Sequence, residues 1–197
     1  VECALENDVE VVLSSNSQEI LDHVVHSSVH KHLRTEGNST AVSTSEDSVI
    51  EVINSLGISD NSDVMLLQPT SPFRTADIIN QSIALLDGAE YDSVIGVIPI
   101  TDHHPERMLE LSGKYLKRPS FVNSDEHLPR QLLAKLFVRN GAIYHSAVST
   151  VLSGSFRGSR CAPLVMSQLS SINIDSHFDL AVARQIADQI SIYKTII

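Results

Sequence analysis

Three apolar runs that alternate with helical patterns constrain the fold of this chain more than any other feature. The runs lie at 9–13, 63–68 and 92–100, and each is nearly continuous in apolar residues. Strands buried on both faces of a parallel sheet have this composition, whereas half-exposed strands alternate apolar and polar residues. The order strand, helix, strand, helix, strand therefore predicts an α/β fold with a largely parallel sheet.

The stretches between these runs have the period of amphipathic helices. Apolar residues recur at helical spacing after Ser17, Ser45 and Thr75, and the first of these helices is predicted to extend to about Lys31. Further elements are predicted nearer the C-terminus: strands at 141–144 and 163–166, and helices at 146–152 and 177–190.

Residues 103–137 interrupt this pattern. Charged residues, prolines and isolated apolar residues follow one another there without a regular period. This composition predicts an insertion that leaves the sheet, such as a hairpin arm. The whole chain, residues 1–197, has the length and the 42% hydrophobic content of one globular domain.

Charge and cysteine content narrow the function classes. The formal net charge is −10, which argues against general binding to nucleic acid or to anionic membranes. No apolar stretch approaches the length of a membrane span, and no signal peptide is visible. The two cysteines, Cys3 and Cys161, lie outside CxxC or zinc motifs and fit reduced thiols. We therefore expect a cytoplasmic protein.

Polar side chains follow the predicted strands at the points where these strands end. The segment "LLQPTSPFR" at 66–74 delivers Gln68 from an apolar strand into a turn that two prolines constrain. Arg107 follows the third strand, and Asn173 and Asp175 follow the last. Ligands in open α/β sheets bind outside the carboxyl ends of the strands. The mixture of groups favours a charged, polyhydroxylated ligand and a divalent metal.

Structural alternatives to these roles stay open. Asp175 suits Mg²⁺, which takes one or two carboxylates plus phosphate and water oxygens, but Asp179 can equally cap a helix. Arg130 is as consistent with a solvated charge as with a bidentate carboxylate clamp. His103 and His104 lack a third ligand at a readable spacing, so packing roles are favoured over zinc.

Five motifs in this order resemble the acylneuraminate cytidylyltransferases, also called CMP-sialic acid synthetases: "LLQPTSPFR", "DSVIGV…HHPERM", "PRQ", "RNGAIY" and "INIDSHFDLAVA". Relatives in this family activate legionaminic, pseudaminic and other nonulosonic acids. The resemblance covers essentially the whole chain, and the first motif and "NGAIY" are the specific ones. The 3-deoxy-manno-octulosonate cytidylyltransferases match these motifs less well.

The resemblance implies a three-layer α/β fold of the nucleotide-diphospho-sugar transferase type, with a mostly parallel sheet. It implies a homodimer in which residues 103–137 form a dimerisation arm that reaches into the site of the partner subunit. The implied reaction transfers CMP from CTP to the anomeric hydroxyl of a sialic-type sugar acid, with Mg²⁺ as cofactor and pyrophosphate as product.

The resemblance also assigns site residues. Arg130 and Asp175 are the catalytic candidates, and Arg130 is the candidate for the sugar carboxylate. The candidates by ligand are Gln68, Arg107, Arg130, Asn140 and Tyr144 for the sugar acid, Arg34, Ala41 and Ser43 for the nucleotide, and Asn173 and Asp175 for the metal.

The chain departs from the family pattern at three places. The family's phosphate-binding loop, with glycine, arginine and lysine, has no counterpart after Val1, so we expect this chain alone to be inactive. Asn173 stands where the family has an aspartate, and Val138 stands where it has an arginine. The departures leave two alternatives open: an inactive homologue that binds a sugar acid or dimerises, and an octulosonate-type cytidylyltransferase.

Overall fold

The computed structural model describes residues 1–38, 43–122 and 129–196, and it confirms the predicted α/β class. The helices are α1 (Glu2–Leu5), α2 (Gln18–His23), α3 (Ser45–Leu56), α4 (Ala76–Asp87), α5 (Val148–Leu152) and α6 (His177–Ile196). The strands are β1 (Val11–Ser15), β2 (Val29–Leu33), β3 (Asp63–Leu66), β4 (Ser93–Pro99), β5 (Glu110–Ser112), β6 (Tyr115–Lys117), β7 (Phe137–Ala147) and β8 (Cys161–Val165).

The larger sheet has four strands in the order β3-β7-β4-β8. Strand β7 runs antiparallel to both β3 and β4, whereas β4 and β8 pair in parallel. The strands β3, β4 and β8 therefore share one direction, and β7 reverses it between them. A separate parallel pair joins β1 to β2.

The helix predicted from Ser17 to about Lys31 is wrong in its second half. Helix α2 ends at His23, where Val24 takes an extended conformation, and β2 begins at Val29. Val29 pairs with Val11 of β1 and is buried. Valines favour extended backbone, so pairing with a neighbouring strand prevails over a helical spacing that only a few residues support.

Helices cover both faces of the larger sheet, which gives the predicted three layers. On one face, Ile78 and Leu86 of α4 pack against Val94 of β4 and Ile143 of β7. On the other face, α3 and α5 contribute the apolar cluster, which is completed by the loop before β8: Val49, Ile53, Val148, Val151 and Phe156. Ile143 and Tyr144, which are adjacent in β7, pack into opposite layers, as the pleat of a strand requires.

The ends of α3 show how the sequence places this layer. The side chain of Thr44 accepts a hydrogen bond from the Asp47 N–H, and the Asp47 carboxylate accepts one from the Thr44 N–H, which together make a capping box. Gly57 ends the helix in the left-handed conformation. Helix α4 begins after Thr75 as predicted, although the Thr75 side chain makes no capping hydrogen bond.

The segment predicted as an arm leaves the sheet. Strands β5 and β6 form an antiparallel hairpin, and residues 123–128 of the segment lie outside the described residues. His104 is buried there, and its Nε2 lies 3.1 Å from the carbonyl oxygen of Ala134. This contact fastens the two ends of the arm together, in agreement with a packing role for His104. None of the described helices has the length and apolar character needed to cross a membrane.

Candidate functional site

Three chain segments meet at one end of the larger sheet: the turn after β3, the middle of β7 and the loop before α6. The N–H of Ile174 donates to the carbonyl of Thr70 at 2.9 Å, which joins the first segment to the third. The side chain of Asn140 donates to Ser171 Oγ at 2.9 Å, which joins the second to the third. Arg74 donates to the carbonyl of Ala142, which joins the first to the second. We call this junction the cleft.

Gly141 lies at the centre of the cleft and has a positive φ of 76°. A Cβ at this position would lie 2.8 Å from Oε1 of Gln68 and 4.0 Å from Oδ1 of Asn173. Only glycine both adopts this backbone conformation without strain and leaves room for the Gln68 amide. The cleft therefore brings together Gln68 and Asn173, two of the residues that the sequence predicts for the ligand and the metal.

Asn140 forms the floor of the cleft beside Gly141. It is only 9% exposed, and its Nδ2 donates to Ser171 Oγ at 2.9 Å and to Met166 Sδ at 3.1 Å. Its Oδ1 accepts from the N–H of Ala142 at 3.1 Å. The amide thus holds the cleft together from within the protein. The predicted contact of Asn140 with a sugar stays a prediction.

Buried polar atoms without a hydrogen-bond partner gather at the cleft. Among the described residues they include Oδ1 of Asn173, Oγ of Ser71 and Nε of Arg74. A buried polar atom that stays unpaired costs about 1–3 kcal/mol. Atoms of this kind in a native fold favour a site that a polar ligand or an ion completes.

The predicted metal residues lie side by side. The Nδ2 of Asn173 donates to Oδ2 of Asp175 at 2.7 Å, which leaves the buried Oδ1 of Asn173 without a partner. Within the described residues, no group of three or more His, Cys, Asp or Glu side chains could hold a metal. One amide oxygen and one carboxylate nevertheless fit Mg²⁺, which takes its remaining ligands from phosphates and water.

Asp179 lies in the first turn of α6 and ties it to the residues just before the helix, which agrees with the structural alternative. Its carboxylate accepts from Ser176 Oγ at 2.7 Å and from the N–H of Asp175 at 3.1 Å. The hydrogen bond from the Ser176 hydroxyl lowers the pKa of Asp179. The exposed carboxylate of Asp175 therefore stays accessible to a ligand, whereas that of Asp179 is engaged by the helix end.

Tyr144 belongs to the apolar layer under α3. Its ring centroid lies 5.5 Å from that of Phe156, and the residue packs beside the cluster that includes Val148 and Val151. Burial raises the pKa of Tyr144, so its hydroxyl stays protonated at neutral pH. Its predicted role in lining a sugar pocket stays a prediction.

The two predicted sugar-binding arginines lie on the arm. Arg107 is exposed in a short 3₁₀ helix at Pro105–Arg107. Arg130 is exposed at the start of another 3₁₀ helix, and its Nη1 lies 3.4 Å from Oδ1 of Asp102. Exposed pairs of this kind contribute little to stability, so the fold does not account for the presence of either arginine.

The predicted nucleotide residues lie beside the β1–β2 pair. The Nη1 of Arg34 donates to Ser48 Oγ at 2.9 Å, and its N–H donates to the carbonyl of Ser15 at 2.9 Å. Ser43 lies just before α3 and its Oγ lies 3.5 Å from the carbonyl of Gly37. Ala41 lies outside the described residues.

Glu51 of α3 holds the loop after Arg34, a role that sequence reasoning missed. Its carboxylate accepts from the N–H of Thr35 at 2.7 Å, from the hydroxyl of Thr35 at 3.3 Å and from Nδ2 of Asn38 at 2.7 Å. The hydrogen bond from the Thr35 backbone lowers the pKa of Glu51. We call these contacts the Glu51 clamp. An acidic residue on a polar helix face gives no sequence signal for such a role.

Comparison with known proteins gives relatives along almost the whole chain, although no family model matches it. The chain is 28% identical over 186 residues to "CMP-N,N'-diacetyllegionaminic acid synthase" of Legionella pneumophila, an alignment that covers 91% of this chain and 78% of the relative. It is 26% identical over 180 residues to "N-acylneuraminate cytidylyltransferase" of Streptococcus agalactiae serotype III. That alignment covers 91% of this chain but only 43% of the relative, so the chain spans less than half of its length.

Many solved structures share the fold, and two of them illustrate it. One is CMP:2-keto-3-deoxy-manno-octonic acid synthetase complexed with CTP, with a TM-score of 0.63, 14% identity, and coverage of 95% of this chain and 85% of that chain. The other is 4-diphosphocytidyl-2C-methyl-D-erythritol synthase from Anaerococcus prevotii, with a TM-score of 0.58, 13% identity, and coverage of 91% and 81%. At these identities the likeness extends to the fold alone.

Proposed function

The chain belongs to the acylneuraminate cytidylyltransferase family, and on this premise we propose that it transfers CMP from CTP to the anomeric hydroxyl of a nonulosonic acid. The observation that carries the proposal is the cleft. Gln68 and Asn173 converge there on Gly141, and buried polar atoms beside them have no partner within the described residues. A polyhydroxylated ligand supplies the donors and acceptors that these atoms need.

The reaction is a nucleotidyl transfer. The oxygen of the anomeric hydroxyl bonds to the α-phosphorus of CTP, and the bond from that phosphorus to the bridging oxygen of the β-phosphate breaks. Pyrophosphate leaves with the bridging oxygen, and the hydroxyl proton is released. The protein contributes mainly by positioning the two substrates and by stabilising the charge that moves to the leaving group. In the cleft, Gln68 orients the sugar through hydrogen bonds of its amide.

Asn173 and Asp175 would hold Mg²⁺. The buried, unpartnered Oδ1 of Asn173 and the adjacent carboxylate of Asp175 support this assignment, because both are oxygen ligands. When bound, Mg²⁺ neutralises triphosphate charge and stabilises the charge that develops on the leaving pyrophosphate. An amide in place of a carboxylate brings no charge of its own, so we expect metal affinity to be modest.

The arm is proposed to form a homodimer and to carry Arg107 and Arg130 to the sugar acid. Both arginines are exposed, which fits side chains that act across a subunit boundary. Large apolar side chains of the arm are exposed beside them: Leu111, Tyr115, Leu116 and Phe121. An apolar surface of this kind marks a protein interface. Arg130 would bind the carboxylate of the sugar acid through its planar guanidinium.

The nucleotide is proposed to lie beside the β1–β2 pair. Arg34 and Ser43 flank the loop there, and residues 39–42, with the candidate Ala41, complete the loop in the sequence. The Glu51 clamp fixes the part of the loop next to Arg34. This placement supports base recognition by Arg34 and Ser43.

A second candidate function follows from Asn173. An amide at a metal position suits a homologue that binds a sugar acid without catalysing transfer, since loss of charge weakens the metal site. An octulosonate-type activity is the third candidate, because a solved structure of this fold is named for that sugar acid.

One experiment separates these functions. The protein is incubated with CTP, Mg²⁺ and one sugar acid, and pyrophosphate release and CMP-sugar formation are measured. The sugar acids are N-acetylneuraminic acid, N,N'-diacetyllegionaminic acid and 3-deoxy-manno-octulosonic acid. Turnover of either nonulosonic acid supports the proposal, and preference for the octulosonate supports the third candidate. Calorimetric binding of a sugar acid without turnover supports the second and contradicts the proposed reaction.

A further inference from the structure

Arg74 joins the two most specific motifs of the chain. It closes the turn that begins at Gln68, and its Nη1 donates both to the carbonyl of Gln68 at 3.4 Å and to the carbonyl of Ala142. Ala142 follows Gly141 in β7, and it lies 68 positions beyond Arg74 in the sequence. One guanidinium therefore connects the turn that bears Gln68 with the strand that bears Gly141.

The contacts of Arg74 are directional rather than ionic. In the described part of the chain, no carboxylate lies within salt-bridge distance of its guanidinium. Its hydrogen-bond partners within the described residues are backbone carbonyls, and its Nε is buried there without a partner. A planar guanidinium with fixed donor directions holds two carbonyls in a set geometry, which a flexible ammonium does not reproduce. The charge therefore serves to place backbone, not to neutralise an acid.

The position of Gln68 depends on this geometry. Its carbonyl accepts from Arg74 and from the N–H of Ser71 at 3.3 Å, so the backbone that carries the side chain is held from two sides. Its Oε1 lies against Gly141, 2.8 Å from the point that a Cβ of that residue would occupy. A shift of the turn relative to β7 would displace the amide from the cleft.

We propose that Arg74 is a positioning residue for the sugar-acid site, which sets the Gln68 amide against Gly141 without itself touching a substrate. The inference rests on the proposed function, since it assigns Gln68 to the sugar acid. It predicts that substitutions of Arg74 act through Gln68 and affect sugar-acid binding, whereas CTP binding beside Arg34 is left unchanged.

The kinetic test is a double-mutant cycle between Arg74→Lys and Gln68→Ala. We expect Arg74→Lys to raise KM for the sugar acid about tenfold, with KM for CTP within about twofold of the wild type. In the Gln68→Ala background, Arg74→Lys should change KM for the sugar acid by less than about twofold, because its route of action is already removed. Arg157→Gln, at an exposed arginine outside the cleft, is the matched control and should change neither constant.

Independent, equal effects of Arg74→Lys in both backgrounds would overturn the inference, and so would parallel rises of both KM values. Thermal unfolding of each variant shows whether the effect is a loss of folded protein, which would lower kcat with both KM values unchanged. If Arg74→Ala folds poorly, Arg74→Lys still retains the positive charge and the N–H donors of one nitrogen.

A spectroscopic readout keeps this inference distinct from the proposed function. The side-chain amide of Gln68 is followed by ¹⁵N–¹H NMR in the absence of any substrate. We expect Arg74→Lys to shift this resonance and Arg157→Gln to leave it in place. An unshifted Gln68 resonance overturns the positioning role, whether or not the wild type turns over a nonulosonic acid. Absence of turnover with a shifted resonance contradicts the proposed reaction and leaves the positioning role supported.

Discussion

The cleft and the arm differ in opposite ways from the usual burial of apolar and exposure of polar side chains. The cleft buries polar groups, with Asn140 9% exposed and Ser71 2% exposed. The arm exposes apolar ones, with Leu111 72% exposed and Tyr115 78% exposed. Buried polar groups and exposed apolar patches are the informative exceptions in a globular protein. Under the proposed function, each region is completed from outside the chain, the cleft by a polar ligand and the arm by an apolar surface.

The two regions also differ in how firmly they are held. The cleft is joined across three segments by the hydrogen bonds of Ile174, Asn140 and Arg74. The hairpin of the arm has its own ladder and an exposed ion pair between Lys117 and Glu110 at 3.4 Å. A cross-linked polar site does not tolerate small displacements, whereas a solvated hairpin does. Substitutions of the same kind should therefore have unequal effects in the two regions.

Two glycines with positive φ give the largest test of this comparison. Gly141→Ala in the cleft places a Cβ 2.8 Å from Oε1 of Gln68, at a φ of 76°. We expect turnover to fall about 100-fold, because displaced positioning groups cost that much. Gly113→Ala in the hairpin turn has a φ of 61° but open space around it. It should cost about 1 kcal/mol of stability and leave turnover unchanged. Equal losses of turnover in a steady-state assay would erase the distinction.

The apolar surface of the arm gives the next largest effect. The double variant Leu111→Glu, Leu116→Glu places charge on two exposed apolar side chains. We expect the proposed homodimer to weaken about 100-fold, since central apolar anchors dominate interface energy. Sedimentation equilibrium measures the change, and Lys114→Glu in the hairpin turn is a control for added negative charge. A wild type that stays monomeric at micromolar concentration would remove the arm from the proposed interface.

Dimers of mixed variants test whether Arg130 acts in the cleft of the partner subunit. If Arg130 acts in the cleft of the partner, Arg130→Ala and Gln68→Ala proteins complement each other at a sugar-acid concentration far below the raised KM of either variant. Half of the randomly mixed dimers then carry both variants, and one of their two sites is intact. About a quarter of wild-type turnover should return. No recovery after subunit exchange would assign Arg130 to its own subunit or to the surface.

The metal position of the cleft gives an intermediate effect. Asn173→Asp adds a carboxylate next to Asp175, so the Mg²⁺ concentration at half-maximal turnover should fall about tenfold. Without metal, the variant should unfold at a lower temperature than the wild type, because the hydrogen bond from Nδ2 of Asn173 to Asp175 becomes a carboxylate repulsion. Asn54→Asp, at an exposed position of α3, is the control. Unchanged Mg²⁺ dependence would separate Asn173 from the metal.

Some parts of the fold and of the cleft can be predicted from the sequence, and others cannot. The α/β class, α3 with its end at Gly57, and the turn after β3 are local patterns and were predictable. Strand β2 was missed because Val29 is its only buried residue, so pairing with β1, not pattern, decides it. The reach of Arg74 to Ala142 and the Glu51 clamp are contacts across the fold, and no spacing in the sequence encodes them.

The Glu51 clamp tests whether sugar-acid binding responds only to substitutions in the cleft or to a substitution at any well-bonded polar group. Only 12% of the Glu51 side chain is exposed, yet Glu51 lies outside the cleft. Glu51→Gln keeps one acceptor but turns an amide toward the donors of Thr35 and Asn38. We expect KM for CTP to rise about threefold and KM for the sugar acid to stay constant. Glu46→Gln, at a partly exposed position in the first turn of α3, is the control. A rise confined to the sugar-acid KM would contradict this division of the site.

His145 extends the comparison to a buried polar group that already has its partner. It lies in β7 with its Nδ1 3.0 Å from Ser82 Oγ, and burial lowers its pKa in spite of nearby Asp63 and Asp87. The folded state therefore binds the proton more weakly than the unfolded chain, whose histidine titrates near 6.5.

The stabilising effect of neutral His145 is complete above pH 6.5 and is lost as the pH falls below it. The loss is at most about 1.4 kcal/mol per pH unit, until the pH passes the folded-state pKa. Thermal unfolding between pH 7.5 and 5 should show this dependence, and His145→Gln should reduce it, whereas His30→Gln at an exposed position should not. Turnover at constant folded fraction should not follow the same curve. If turnover did follow it, a buried polar group outside the cleft would control activity. The comparison would then no longer distinguish the cleft from the rest of the sheet.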